Sequence, residues 1–83
     1  MDTSKNKLLK QFGEHVRNLR VRANLSQDDV VNNSDYITKG TVSDIENGKR
    51  NLSFTTLIDL AKGLGKKPRD LVNFDIDQNE NSL

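Results

Sequence analysis

Residues able to do catalytic chemistry are few in this chain and fall into no working pattern. His15 is the single histidine and there is no cysteine, so neither a thiolate metal set nor a histidine cluster can be assembled. Serines and aspartates are present, but no glycine-rich phosphate loop, metal-ligand spacing or nucleophile motif joins them. No enzyme, metal site, cofactor or small-molecule ligand is expected. What remains is the chemistry of hydrogen bonds and charge. Gly40, Thr41, Ser43 and Asp44 interleave with apolar Val42 and Ile45, which leaves one side of a short segment small and polar. Asn47, Lys49, Arg50 and Asn51 follow at once and add amides and positive charge.

Those groups need a frame, and the apolar pattern predicts an all-α one of five helices. Leu8, Leu9, Phe12, Val16, Leu19 and Ala23 recur at three- and four-residue steps, giving a first helix from about Lys7 to Arg22. Ser26 is a good N-cap for a second helix ending near Asn33, and with Asp29 three residues on it approximates a capping box. Asp28 and Asp29 also suit a helix N-terminus as ordinary first-turn residues. Tyr36 and Ile37 are expected to anchor the following turn. Thr38 caps a third helix, Lys39 to about Asn47, with Val42 and Ile45 inward and Gly48 as its stop. Ser53 caps a fourth helix over Phe54–Leu64, buried through Leu57, Leu60, Ala61 and Leu64 and ended by Gly65. Pro68 opens a short fifth, packed down by Leu71, Val72 and Phe74.

With 83 residues there is room for one core and a thin stability margin, which pairing with a second copy would widen. The domain division expected is a flexible N-terminus over 1–6, a helical domain over 7–74 and an acidic, disordered tail over 75–83. The net charge is only +1, but the tail carries Asp75, Asp77 and Glu80 and no Lys or Arg. Without it, 13 basic and 9 acidic residues leave +4 on residues 1–74. A basic body is compatible with a phosphate-facing surface. No stretch approaches the ~18 apolar residues of a membrane span, and the opening MDTSKNK lacks a signal peptide's apolar core. A cytoplasmic protein with no membrane partner is expected.

Two short helices joined by a turn and flanked by core helices form a layout in which the second can enter a major groove. The runs Leu25-Ser26-Gln27, Val42 through Arg50, and Leu57 through Leu64, in that order and spacing, resemble the phage-repressor-like (Xre-type) helix-turn-helix family over Phe12–Val72. The resemblance implies a five-helix, lambda-repressor-like DNA-binding domain with its helix-turn-helix formed by the second and third helices. It also implies a homodimer on double-stranded DNA and a third helix that reads bases.

Carried onto this sequence, the resemblance gives Gln27 a hydrogen bond to a phosphate or an edge base. Lys39, Gly40, Thr41, Ser43 and Asp44 become the groove-facing surface, and Asn47, Lys49, Arg50 and Asn51 hold the DNA backbone. Amides, hydroxyls and lysines suit phosphate oxygens. Lys39 fits guanine O6 or N7, the Thr41 methyl fits a thymine methyl, and Asp44 fits a cytosine amino group. Gly40 permits close approach. The plainer reading of Lys49 and Arg50 is a solvated loop. Similar domains also pair an arginine late in the first helix with a glutamate ending the third, positions held here by Arg20 and Glu46.

Three features depart from the family's pattern. The stretch between Ser26 and Thr38 is one residue longer, Val31 stands where a small alanine is usual, and Asn33 or Ser34 replaces a leucine whose place Tyr36 is expected to fill. The resemblance implies a transcriptional regulator on a two-fold-related operator. Stand-alone relatives of this size include restriction–modification controllers and small phage or plasmid repressors. The alternative is a protein-interaction module of the same fold, an antitoxin or anti-repressor whose acidic tail folds onto a partner. The dimer surface is expected around the fifth helix and the loop before the fourth, with Leu52, Phe54 and Phe74 exposed.

Overall fold

Apolar residues three and four apart give each segment one side to bury, and five helices share the result. The computed structural model describes residues 3–76, with α1 over Thr3–Arg22, α2 over Gln27–Asn33, α3 over Lys39–Glu46, α4 over Phe54–Leu64 and α5 over Pro68–Leu71. The side chains with least exposure are Val16 of α1, Val30 of α2, Val42 and Ile45 of α3, Leu60 of α4 and Leu71 of α5. Every helix therefore contributes to one core. Among the described residues no helix is long and apolar enough to cross a membrane.

Helix starts follow local chemistry closely. Ser26, Thr38 and Ser53 each accept a hydrogen bond from the backbone N–H three residues on, which satisfies a donor the helix leaves open. The Ser26–Asp29 capping box is complete, with Ser26 N–H donating to the Asp29 carboxylate at 2.8 Å. That bond and the nearby Ser26 hydroxyl hold the Asp29 carboxyl below its ordinary pKa.

Helix ends share one device. Just past α1, α3 and α4, the residues Asn24, Gly48 and Gly65 take positive φ, and the next N–H closes back onto Arg20, Asp44 and Ala61 carbonyls. This is the Schellman arrangement, which satisfies the last helical carbonyls and turns the chain sharply.

The first helix starts at Thr3 and not near Lys7. Residues 3–6 add a further turn of helix, since nothing in Ser4-Lys5-Asn6 breaks one; residues 1–2 of the expected N-terminal segment lie outside the described residues. Leu8 and Ala23, placed on the buried stripe, are exposed; Ala23 lies past the helix end and Leu8 at the rim of an open groove. Tyr36 does not fill the missing leucine's place, being 56% exposed, and Ile37 at 5% is the residue that anchors the turn. Phe74 also turns inward, against Phe12 and against His15 at a ring distance of 5.0 Å. Nε2 of His15 donates to the Asp70 carbonyl at 2.7 Å, tying α1 to α5. Of the expected acidic tail, residues 77–83 lie outside the described residues.

One close approach fixes where α1 meets α3. A Cβ on Gly13 would overlap the Ile45 carbonyl oxygen and lie 2.7 Å from that of Glu46. These are backbone atoms that cannot swing aside. Gly13→Ala is thus expected to destabilise the fold by about 1–2 kcal/mol despite alanine's better helix propensity. Thermal denaturation checks it: an unchanged or raised midpoint would mean the two helices separate freely.

Candidate nucleic-acid interface

α3 presents its polar side because its apolar side is spent on the core. Val42 and Ile45 are buried, and Glu46 beside them is buried as well. At 100° per residue, Lys39, Gly40, Ser43, Asp44 and Asn47 then share the outward arc. Lys39, Gly40, Asn47, Lys49, Arg50 and Asn51 are exposed, while Gln27, Thr41, Ser43 and Asp44 are half-buried. Nine of the ten residues proposed as DNA contacts thus lie on α3 or in the loop after it. Gln27 joins them from the start of α2 through Glu46, at the end of α3.

Local bonds organise this strip. Thr41 sits at its margin, its hydroxyl 3.1 Å from that of the capping Thr38. Asn47 donates to the Ser43 hydroxyl at 3.4 Å. A Cβ on Gly40 would meet only the Thr38 hydroxyl, at 3.8 Å, so the surface there is low and open. Two cations are held loosely. Lys39 lies 3.4 Å from Asp28 of α2, and Arg50 3.6 Å from Asp44. Exposed pairs of this kind contribute little, so phosphate can displace either carboxylate cheaply. Asp28, read as a first-turn residue only, therefore also tempers the positive charge at the head of α3.

Beneath the strip runs a bonded network. Arg20 Nε donates to Glu46 Oε2 at 2.6 Å and Nη2 to Oε1 at 3.0 Å, a fork-on-carboxylate pair. The Arg20 Nη1 donates to the Leu25 carbonyl at 2.9 Å, beside the α2 cap. The bond to Glu46 raises the Arg20 pKa against the opposing effect of burial. Gln27 Nε2 completes the set, donating to Glu46 Oε1 at 3.2 Å. One carboxylate thus links α1, α2 and α3.

A second carboxylate, which sequence reading passed over, holds the turn between α2 and α3. Asp59 of α4 is 4% exposed and accepts from the N–H groups of Asp35, Tyr36 and Ile37 at 2.7, 2.9 and 3.0 Å. Burial opposes its charge, but these three donors and the nearby Lys62 ammonium prevail and keep the carboxyl below its ordinary pKa. Lys62 itself bridges to Asp35 at 2.6 Å. The one available signal was an aspartate inside the apolar run Leu57–Leu64.

A short exposed helix with a polar face, braced across a second short helix by buried carboxylates, is the frame of a helix-turn-helix protein. The chain belongs to the helix-turn-helix family, whose model matches residues 16–71. It is 38% identical over 64 residues to control protein C.BamHI of Bacillus amyloliquefaciens, spanning 76% of this chain and 78% of that relative. It also superposes with a TM-score of 0.70 on the crystal structure of the restriction-modification controller protein C.AhdI from Aeromonas hydrophila. That match has 35% identity and covers 76% of this chain and 94% of the other. The Xre-type membership and five-helix all-α fold expected from the sequence agree with these matches.

Proposed function

We propose that this chain is a sequence-specific transcriptional regulator of the controller-protein kind, acting in the cytoplasm as a homodimer on a two-fold-related DNA operator. The observation that carries the reading is the outward arc of α3, with Lys39, Gly40, Ser43, Asp44 and Asn47 on one exposed side. α3 enters the major groove, and Lys49, Arg50 and Asn51 engage the backbone beyond it. No catalytic step belongs to this reading.

The dimer half rests on a separate feature. An apolar groove of about 250 Å³ opens between α1, the start of α4 and the end of the described chain, with Leu8, Phe54, Val72 and Ile76 among its lining. Phe54 is 74% exposed. A second copy seated here covers apolar surface that a small domain otherwise leaves in water. Two reading helices then lie about one DNA turn apart, ~34 Å. Phe54→Glu is expected to give a monomer by sedimentation and to weaken operator binding at least tenfold. A dimer unchanged by that substitution would move the interface elsewhere.

The direct test is selection from a random-sequence duplex pool at ~150 mM salt, where nonspecific binding is weak, ~10⁻⁴–10⁻⁶ M. Specific sites should be tighter by ~10³-fold or more and show a two-fold-related motif. Lys39→Ala or Thr41→Ala should change the preferred bases, whereas Lys49→Ala should weaken all sequences alike and lower the salt dependence by about one counterion. Retention without any motif would overturn the operator reading and point to a protein partner.

A further inference from the structure

The apolar groove between α1 and the start of α4 has one wall that no helix builds. Val72, Phe74 and Ile76 line it, yet α5 ends at Leu71 and the chain beyond has no regular structure. Backbone-to-backbone bonds reach only Val72 and Asn73, whose N–H groups donate to the Arg69 and Asp70 carbonyls at 3.3 and 3.4 Å. Further on, side chains tie the segment to α1. The Phe74 ring packs on Phe12, with centroids 6.2 Å apart, and on His15 at 5.0 Å. His15 is half-buried there, and its Nε2 lies 2.7 Å from the Asp70 carbonyl oxygen. A carbonyl only accepts, so Nε2 carries the proton. α5 has four residues, too few to satisfy its own last carbonyls. One imidazole thus holds the end of α5 through a nitrogen and Phe74 through its ring.

We propose that His15 is a positioning residue for homodimer assembly, holding Val72, Phe74 and Ile76 as the wall against which the second copy seats. The proposal rests on the dimer reading and deepens it by naming what shapes the contact surface. Leu8, Leu9 and Phe12 of α1 line the groove and His15 does not, so it acts through Phe74 and α5. Val72 and Ile76 are 50% and 42% exposed and present the apolar surface to be covered. If the segment were loose, association would first have to order it, and that entropy cost opposes binding. Anchored by His15, it meets the partner already in shape.

The test is sedimentation equilibrium of wild type, His15→Ala and His15→Gln, each checked by circular dichroism to be folded, with Phe54→Glu as the reference for a lost groove contact. His15→Ala is expected to raise the dimer dissociation constant by about tenfold, the scale of ordering a few side chains on binding. His15→Gln, whose Nε2 can donate to the same carbonyl, should recover most of that loss. A dissociation constant unchanged in His15→Ala, where Phe54→Glu does weaken the dimer, would leave His15 a purely structural residue and overturn the proposal. Equal weakening in His15→Gln and His15→Ala would overturn the role of the hydrogen bond. A monomeric wild type, or a dimer that Phe54→Glu leaves intact, would overturn the proposal through failure of the groove reading.

A second readout needs no substitution at His15. It is the only histidine of the chain, so its imidazole signals are unambiguous, and the Phe54→Glu monomer removes any effect of a second copy. In that monomer the neutral ring should be the Nε2–H tautomer. Its carbon-bound protons should be shifted by the Phe74 ring, and Phe74→Ala should return them toward free-imidazole positions. The opposite tautomer, or shifts that Phe74→Ala does not move, would overturn the anchoring role even if His15→Ala fails to fold.

Discussion

Replacing Glu46 with alanine is expected to lower stability by about 3 kcal/mol. The side chains of Arg20 and Glu46 are 13% and 4% exposed, and removing one member of a buried pair strands the other without water or a counter-charge. Arg20 keeps only its bond to the Leu25 carbonyl, and Gln27 loses its recorded partner. For a domain of this size such a loss corresponds to a fall in melting temperature of roughly 10–20 °C. It is a large share of the ~5–15 kcal/mol that separates a typical native state from the unfolded one. Glu46→Gln should cost less, because an amide oxygen can still accept from Arg20. Melting temperatures equal to wild type in Glu46→Ala would show that the pair is solvated and contributes nothing. The functional consequence is separable: α3 loses its tie to α1 and α2, so DNA affinity should fall even at temperatures where the variant is folded.

The second large effect is expected at Asp59. Its Oδ1 takes the N–H of Asp35 and its Oδ2 those of Tyr36 and Ile37. Asn keeps the shape but has one oxygen, so its NH₂ must oppose at least one backbone donor. Hydrogen bonds to a charged acceptor contribute about 1.5–3 kcal/mol each, and a donor left unpaired adds its desolvation cost. Asp59→Asn should therefore lose about 2–4 kcal/mol at neutral pH, measured by urea or thermal denaturation.

The pH dependence gives an independent check on Asp59. Its folded pKa lies below its unfolded value, for the causes given above. The associated stability is fully present above the unfolded pKa, ~3.9, and is lost as pH falls through the folded pKa. The gap between wild type and Asp59→Asn should hold from neutral pH to about pH 5 and narrow below about pH 4. A gap that stayed constant into acid would mean that the carboxylate's charge is not what the turn requires.

Sequence reading went furthest where the physics is local. Ser26, Thr38 and Ser53 cap helices because a hydroxyl can reach the N–H three residues on. Gly48 and Gly65 end helices because they tolerate positive φ. The polar side of α3 followed from the period of Val42 and Ile45, and the Arg20–Glu46 pair from resemblance to similar domains. Misreadings fell where neighbours in space decide. Tyr36 and Ile37 are adjacent apolar residues, and only the approach of Asp59 to their backbone settles which side chain turns inward. Phe74 was assigned both to the packing of the fifth helix and to an exposed dimer face, because nothing near it in the sequence shows the Phe12 and His15 surface it covers.

By itself, then, the sequence determined the five helices, the caps at Ser26, Thr38 and Ser53, most of the core stripe and the family, since each depends on residues a few positions apart. The tertiary structure alone decided what those helices do to one another's side chains. It set Lys39 beside Asp28, made Asp59 the clasp of the α2–α3 turn, and turned the NH₂ of Gln27 toward Glu46. These partners lie 11, 24 and 19 residues apart along the chain, and no local rule carries that far. Only a packed core brings such groups within hydrogen-bonding or ion-pairing distance.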